Sequence, residues 1–280
     1  MAPNALRVLD SIGVYDQIRV MGYNYDEVYL SNPHGTELGR FLNGSPRFYN
    51  YPATRVHRRD VRDLLLARLD AEGIPVHYSK KFKEVVEETA SSVTVAFEDG
   101  TRATGDFVVG CDGIHSRIRH HVYPNSDPEF QGVMGIMGTV YPNQLTDVLG
   151  PEGQHETSRW PVALPRLTFG DRGMFGTFPA DFAGLEMGFM TTQRMGARSR
   201  KEWEALEHDK SQLKQIMERA FIKEKGGSDY PAQTRLLVER ARPETLSSWP
   251  FYVVPTTPAW YSDKGRIVFI GDAAHVSHSQ

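Results

Sequence analysis

Two short motifs, each placed directly after an apolar run, contain the residue types that could bind a nucleotide. The first, DGIHSRIR, begins at Asp112 and follows the apolar run 106–111. Open α/β sheets bind ligands beyond the carboxyl ends of their strands. A carboxylate at Asp112 could accept hydrogen bonds from ribose hydroxyls, and Gly113 would let the backbone approach a phosphate closely. Ser116 could cap the next helical turn, and Arg119 could offer its guanidinium to a phosphate.

The second motif, GDAAH, begins at Gly271 and follows the apolar run 266–270. Gly271, Ala273 and Ala274 would keep side chains away from a helix N-terminus on which a cofactor could lie, and Asp272 would hold a polyol hydroxyl. Each motif also has a purely structural interpretation. The first could be an Asp-Gly turn before a short capped helix, and Asp272 could be an ordinary N-cap. For either motif alone, both interpretations stay open.

Three helices are predicted to position these motifs and the regions between them. One begins at Pro3, and a second is predicted to start from an N-cap at Asp60 and to end at Gly73. A third, long helix begins after Ser199, which has a glutamate three residues later as in a capping box, and ends before Gly226.

Strands are predicted for much of the remaining chain. Residues 23–51 alternate loosely between turn signals, and Asp99-Gly100 lies between two β-rich runs as in a hairpin. The run 106–111 is apolar almost throughout, which predicts a strand buried on both faces. The run 266–270 predicts another buried strand.

These elements alternate along the chain, and 280 residues are enough for two domains of ordinary size. The fold class is therefore predicted to be mixed α/β, with two interleaved domains. The α/β domain takes residues 1–20, 54–127 and 263–280, and the β-rich domain takes residues 21–53 and 128–262.

Composition excludes several classes of function. A net charge of −3 argues against nucleic acid as the main partner and favours a small molecule. The single cysteine, Cys111, allows no intrachain disulfide, which favours a cytoplasmic protein. The sequence contains no uninterrupted run of about 18 apolar residues, so no membrane span is predicted. The pair His275 and His278 has no acid or cysteine at zinc-like spacing, so no metal is expected.

A group of apolar residues at strand spacing could line an aromatic-substrate pocket, although such residues more often form core. They are Met134, Met137, Phe175, Phe178, Met187, Phe189 and Met190. Arg166, Arg194 and Tyr141 are conceivable substrate contacts, and the sequence gives no reason to choose among them.

Taken together and in this order, DGIHSRIR and GDAAH on either side of an antiparallel region resemble the class A flavoprotein monooxygenases. These are aromatic hydroxylases with the fold of p-hydroxybenzoate hydroxylase. The resemblance covers essentially the whole chain and includes VHRRDVRDLLL, which is similar to the family's second-helix motif. It implies FAD as cofactor, NAD(P)H as co-substrate, and an incomplete Rossmann-like FAD-binding domain interleaved with an antiparallel substrate domain.

The resemblance also implies roles for individual residues. Arg58 would approach the FAD pyrophosphate, and Asp112 with Gly113 would lie where both FAD and NAD(P)H pass. Asp272, between Gly271 and Ala274, would bind the ribityl or pyrophosphate region. The activity implied is hydroxylation or epoxidation of a small aromatic or unsaturated molecule through a flavin hydroperoxide, which needs no side-chain nucleophile. No catalytic residue is assigned.

The family's GxGxxG unit should precede Pro3, and the proline expected after GDAAH is absent. We therefore expect a fragment, a gene model with wrong boundaries or a degenerate relative. Its FAD affinity is expected to be weak or absent, and it should tend to aggregate, because a missing βαβ unit would expose strand edges. The alternatives are a non-catalytic remnant and a flavin-dependent halogenase. The halogenase motif W-x-W-x-I-P is not seen, since SRWPVALP and SSWPFYVVP have one tryptophan each.

Overall fold

The computed structural model divides into two compact units, which are described separately. It describes residues 1–145, 147, 163–184 and 186–276. The larger unit comprises Met1–Ile74 and Val133–Trp249, and the smaller unit comprises Pro75–Gly132 and Pro250–Gln280. Both units are therefore built from segments that are distant in sequence.

The larger unit is built on a seven-stranded sheet whose order is β13-β9-β12-β11-β10-β2-β3. Its strands are β2 (Glu27–Ser31), β3 (Glu37–Leu42), β9 (Glu129–Val140), β10 (Arg166–Gly170), β11 (Gly173–Pro179), β12 (Met187–Arg194) and β13 (Ser247–Val253). Neighbours from β9 to β3 pair antiparallel, except that β10 and β2 are parallel. A separate antiparallel pair joins β1 (Tyr23–Tyr25) to β4 (Ala53–Arg55).

Aromatic side chains fill the core between this sheet and its covering helices. Phe175 of β11 and Phe189 of β12 stack with their ring centroids 5.6 Å apart, and Phe221 meets Phe175 edge-on at 5.1 Å. Met134 and Met187 are also buried. For these residues, the interpretation as core is confirmed.

The long helix predicted after Ser199 is two helices, α6 (Arg200–His208) and α7 (Lys210–Phe221). The capping box is confirmed, since the Ser199 N–H donates to the Glu202 carboxylate at 2.7 Å. The prediction of one helix was wrong because Asp209 leaves the helical conformation and its side chain accepts a hydrogen bond from Gln212 N at 2.9 Å. Aspartate favours such a cap over a helix interior. The next helix is α8 (Ala232–Arg240).

The first helical region forms a second core of the larger unit. Its helices are α1 (Pro3–Ser11), α2 (Tyr15–Met21), the single turn α3 (Pro46–Tyr49) and α4 (Arg58–Ala71). Leu6, Leu9 and Ile18 are buried there against the leucines of α4. The N-cap of α4 is His57, so the prediction of Asp60 was wrong by three residues. Two arginines extend the helix, and Asp60 then lies in its first turn, where a carboxylate interacts well with the helix dipole.

The smaller unit combines an antiparallel sheet with a parallel strand pair. Its elements are β5 (Phe82–Glu88), β6 (Val93–Phe97), β7 (Arg102–Gly105), β8 (Val108–Gly110), α5 (Arg117–Val122) and β14 (Ile267–Phe269). The hairpin predicted at Asp99-Gly100 is confirmed by the antiparallel pairing of β6 with β7. Ile118, Ile267 and Phe269 form the core of this unit.

The prediction that residues 106–111 are buried on both faces was wrong. Phe107 is 59% exposed and Val109 is 56% exposed, whereas Gly110 is buried. Within the described residues of this sheet, β8 pairs only with β14, and the core of the unit covers one face of the pair. None of the described helices has the length and hydropathy needed to cross a bilayer.

Candidate functional site

The parallel pairing of β8 with β14 brings the two predicted motifs to one edge of the smaller unit. Val108 and Gly110 of β8 are in register with Ile267 and Phe269 of β14, so both strands end at the same level. The backbone N–H of Ile270 continues the pairing by donating to the Gly110 carbonyl at 3.0 Å. The residues that follow each strand, 112–113 and 271–274, therefore lie at the carboxyl edge where such sheets bind ligands.

Arg119 joins the two motifs internally. It is 1% exposed, and its Nη1 donates to the Ala273 carbonyl at 2.8 Å while its Nη2 donates to the Ile114 carbonyl at 2.7 Å. Its Nε also donates to Ser126 Oγ at 3.2 Å, and burial lowers the pKa of the guanidinium. The expectation that Arg119 offers a phosphate contact was wrong, because all three guanidinium nitrogens already bind within the protein.

Asp112 uses both carboxylate oxygens to begin α5. Oδ1 accepts a hydrogen bond from Ser116 Oγ at 2.5 Å, and Oδ2 accepts from the backbone N–H groups of Arg117 at 2.8 Å and Ile118 at 3.3 Å. Ser116 Oγ in turn accepts from Arg119 N at 2.9 Å, which confirms the predicted Ser116 cap. Asp112 thus fixes the conformation of the loop that carries Gly113, and its predicted contact with ribose stays a prediction.

Gly113 and Gly271 provide open backbone at this edge. Their φ angles are +82° and +60°, a region that residues with a side chain rarely adopt. Apart from atoms of the adjoining chain, no described heavy atom lies within 4 Å of the position a Cβ would take at either residue. A flat or phosphorylated ligand could therefore approach the backbone closely at both positions.

The side chain of Asp272 is accessible to a ligand, whereas that of Ala274 is buried. Asp272 lies in the single 3₁₀ turn Gly271–Ala273, where it is exposed and makes no hydrogen bond or ion pair with any described residue. The N-cap of that turn is Ile270, so the N-cap interpretation of Asp272 was wrong. Ala274 is 3% exposed and its side chain packs in the core, which leaves only its backbone for a ligand.

Arg58 belongs to the larger unit, where it lines a cavity of about 210 Å³. The walls of this cavity are Arg55, Val56, His57, Arg58, Met137, Gly138, Thr139, Phe178, Ala180, Gly188, Phe189, Thr245 and Ser247. Arg58 is exposed and has no ion pair within the described ranges. His57 Nε2 lies 3.3 Å from a carboxylate oxygen of Glu186.

Arg55 is a candidate functional residue that the sequence analysis missed. Its guanidinium carbon lies 3.3 Å from the centroid of the Phe178 ring, and burial lowers its pKa to about 10. Only its spacing could have drawn attention to it, because it ends a short strand three residues before Arg58. Spacing alone does not distinguish a cavity wall from a solvated surface.

Comparison with known proteins identifies the family. Residues 1–279 match the family model described as FAD binding domain, so the chain belongs to that family. The chain is 27% identical over 98% of its length to 6-hydroxynicotinate 3-monooxygenase of Bordetella bronchiseptica, and it is 29% identical over 98% of its length to salicylate hydroxylase of Pseudomonas putida. It spans 65% and 61%, respectively, of the lengths of these two proteins.

Solved structures agree with this assignment at the level of the fold. Klebsiella pneumoniae HpxO complexed with FAD and uric acid superposes with a TM-score of 0.71 at 20% identity, over 98% of this chain and 63% of that one. A salicylate hydroxylase substrate complex gives a TM-score of 0.70 at 18% identity, over 98% and 65% of the two chains. The predicted α/β fold class and the resemblance to FAD-dependent aromatic hydroxylases are confirmed.

Proposed function

We propose that this chain carries the FAD-binding and substrate-binding regions of an NAD(P)H-dependent monooxygenase that hydroxylates a small aromatic molecule. The observation that carries the proposal is the shared carboxyl edge of β8 and β14. There, the carboxylate of Asp272, which has no partner among the described residues, lies at the same edge as the open backbone of Gly113 and Gly271. The relatives named above are monooxygenases of hydroxynicotinate and salicylate, which supports an aromatic substrate.

The residues at this edge fit a flavin nucleotide. Asp272 would accept hydrogen bonds from ribityl hydroxyls, and the backbone at Gly113 and Gly271 would admit the pyrophosphate region without a clashing Cβ. Asp112 and the buried Arg119 would hold the two loops in place. When bound, FAD supplies the redox and oxygen chemistry, while the protein binds, orients and excludes water.

Arg58 would contact FAD through its side chain, and Ala274 would contact it through its backbone. The guanidinium of Arg58 is exposed at the start of α4 and has no ion pair with a described residue, which suits a pyrophosphate, and the resemblance gives Arg58 that role. Ala274 would contribute backbone only, because its side chain belongs to the core.

The cavity in the larger unit suits the substrate. Its volume of about 210 Å³ is below the range of ~300–1,000 Å³ that is typical of drug-sized ligands, so it matches a single ring with small substituents. Phe178, Phe189 and Met137 give it apolar walls, and Thr139 and Ser247 give it hydroxyl groups. The interpretation of the apolar group as substrate wall is therefore kept for Phe178 and Met137, whereas Phe189 is a core residue that borders the cavity.

The proposal keeps the domain division predicted from the sequence. The FAD-binding domain would comprise 1–20, 54–127 and 263–280, and the substrate domain would comprise 21–53 and 128–262. A cytoplasmic location, for which the single cysteine is the argument, also belongs to the proposal.

The test is a titration of the purified chain with FAD, followed by flavin fluorescence. We expect saturable binding, and we expect Asp272→Asn to weaken it about tenfold or more, because a hydrogen bond to a charged group contributes ~1.5–3 kcal/mol. Asp263→Asn is the matched control, since Asp263 is also an exposed acid of the smaller unit. Salicylate should then stimulate NAD(P)H oxidation by the FAD-loaded chain. Equal FAD affinity of Asp272→Asn and the wild type would contradict the assignment.

A second candidate function is ligand binding without catalysis. The exposed apolar side chains of Phe107, Val109 and Ile270 beside the proposed cofactor edge favour it, because an active flavin site excludes water. Saturable FAD binding with no aromatic-stimulated NAD(P)H oxidation would support this alternative.

A further inference from the structure

A second cavity of the larger unit lies at the other end of β11 and β12 from the cavity described above. Its volume is about 400 Å³, and it is lined by the start of β9 at Val133, the turn at residues 170–173 and the end of β12 at residues 192–194. Along β11, Gly173 lies five residues from Phe178 of the first cavity, which is ~17 Å at ~3.4 Å per residue. The two cavities are therefore separate sites.

Two arginines from different parts of the sheet line this second cavity. Arg194 ends β12, is exposed, and its side chain makes no hydrogen bond or ion pair with any described residue. Arg172 lies in the turn between β10 and β11, where its Nε donates to Ser228 Oγ at 3.4 Å and lies 3.8 Å from Asp171 Oδ2. Among the described residues, the Nη1 and Nη2 groups of both arginines have no partner, so both guanidinium groups are available to a ligand.

Hydrogen bonds hold the turn that carries Arg172 against the segment before α8. Ser228 Oγ donates to Asp171 Oδ2 at 2.8 Å, and the Tyr230 hydroxyl donates to the Gly173 carbonyl at 2.9 Å. Tyr230 is itself buried, with 3% of its surface exposed. The two ends of the turn are therefore fixed to the body of the unit.

The same turn is also held against β12. Gln193 Nε2 donates to the Arg172 carbonyl at 3.2 Å. Gly173 has a φ angle of +124°, and a Cβ at this position would lie 2.2 Å from the Thr192 carbonyl oxygen. Only glycine fits so close a contact. Because the turn and β12 are fixed to each other, a ligand that binds both Arg172 and Arg194 would have little backbone to order, which lowers the cost of binding.

The charge of the lining favours an anion. Its charged side chains are Arg172, Arg194 and Asp171, which sum to +1, and Asp171 is already engaged by Ser228. A guanidinium binds phosphate oxygens with two parallel hydrogen bonds. Two guanidinium groups match the charge of a phosphate monoester, which approaches −2 above its second pKa of ~6. A volume of about 400 Å³ also leaves room for an organic group, since small-molecule sites span ~300–1,000 Å³.

We propose that this second cavity binds a small phosphorylated organic molecule, whose phosphate group is held by Arg172 and Arg194. Val133 and the methyl group of Thr192 would contact its organic part. The proposal goes beyond the function proposed above and does not depend on it. Because every residue that lines the cavity belongs to the larger unit, binding requires no flavin.

The test is calorimetric titration of the purified 280-residue chain, without flavin, in phosphate-free buffer at pH 8 and constant ionic strength. The probes are glycerol 3-phosphate, inorganic phosphate and lactate, which is a monoanion with a small organic group. The variants are Arg172→Gln and Arg194→Gln. The matched control is Arg219→Gln, because Arg219 is an exposed arginine of the same unit whose side chain also has no partner among the described residues.

We expect the wild type and Arg219→Gln to bind glycerol 3-phosphate more tightly than inorganic phosphate, and to bind lactate most weakly. Each of the two cavity variants should weaken the binding of glycerol 3-phosphate about 10- to 100-fold. Its binding to the wild type should also weaken below about pH 6, where the phosphate gains a proton. Absence of saturable binding to the wild type, unchanged affinity in Arg194→Gln, or tighter binding of inorganic phosphate than of glycerol 3-phosphate would overturn the proposal.

Two further measurements keep the result decisive. If Arg172→Gln proves unfolded by circular dichroism, Arg194→Gln still decides the question, because Arg194 is exposed and its side chain has no described partner. Arg58→Gln, which changes the residue proposed for the FAD pyrophosphate, should bind glycerol 3-phosphate like the wild type. Loss of binding in Arg58→Gln, with none in the two cavity variants, would assign the phosphate to the cofactor site and overturn the proposal.

Discussion

The charged residues of the two units differ in whether the protein itself satisfies them. Asp112 and Arg119 are fully engaged, since the first caps α5 and the second binds backbone carbonyls in both motifs. Asp272 and Arg55 have no ion pair within the described parts of the chain. The first pair therefore shapes the site, and the second pair is available to ligands.

Replacing the buried guanidinium should destabilise the smaller unit. Arg119→Met leaves the carbonyls of Ala273 and Ile114 without their donors, and we expect the free energy of unfolding to fall by about 3 kcal/mol in urea titrations. Arg102→Met is the control, because Arg102 is an exposed arginine of the same unit. A loss no larger than that of the control would show that Arg119 is not a structural link.

Sequence patterns could predict the types of these side chains but not their directions. Asp112 and Asp272 both follow an apolar strand, yet the first accepts hydrogen bonds from the helix that follows it and the second makes none with a described residue. The partner of Arg119 lies 154 residues away in the chain, and no local pattern encodes such a contact. Arg55 was missed for the same reason, since its cavity is assembled from distant strands.

At the scale of elements, Glu207 ties the end of α6 to the beginning of β13. Its Oε2 accepts hydrogen bonds from the backbone N–H of Ser248 at 2.5 Å and from Ser248 Oγ at 2.6 Å, while its Oε1 lies 2.7 Å from Lys210 Nζ. Burial acts to raise the pKa of Glu207, but the hydrogen bonds from Lys210 and Ser248 outweigh it and lower the pKa. The ionised carboxylate is thus the form that the fold stabilises.

The stability conferred by Glu207 should depend on pH. Because its pKa is lowered on folding, its contribution is fully present above the unfolded value of ~4.3 and is lost as the pH falls through the folded value. We expect the wild type to be more stable than Glu207→Gln at pH 7 and this difference to shrink below about pH 4. Urea unfolding across this range measures it. Glu204→Gln serves as the control, because Glu204 pairs with Arg200 within its own helix. If the difference in unfolding free energy between the wild type and Glu207→Gln did not change with pH, the prediction would be contradicted.

Element boundaries were predictable where local signals agreed. The capping box at Ser199 and the hairpin at Asp99-Gly100 were both confirmed because turn and cap chemistry act over three or four residues. The break at Asp209 was missed because the apolar face continues through it, and only the side-chain cap of α7 interrupts the helix. The burial of residues 106–111 was overestimated, because an apolar sequence does not show whether other elements cover both faces of the strand.

At the scale of the whole molecule, the exposed apolar side chains beside the β8 and β14 pair are a solubility hazard. Phe107, Val109 and Ile270 are all exposed, and unpaired strand edges of this kind promote association. We expect the purified chain to self-associate with rising concentration in light scattering, and we expect Val109→Lys to reduce this. Val8→Lys is the control, because Val8 is equally exposed but lies on α1. A monodisperse wild type would contradict the prediction.

The hydrogen bond from Arg119 to Ala273 also sets an order of events during protein synthesis. The two residues are 154 positions apart, so the first motif waits for roughly 8 to 30 s at ~5–20 residues per second before its partner leaves the peptidyl-transferase centre. Throughout that interval, Arg119 Nη1 lacks its Ala273 acceptor and β8 lacks its pairing with β14, which is when chaperones would bind. The cofactor edge therefore cannot form before Ala273 has been synthesised.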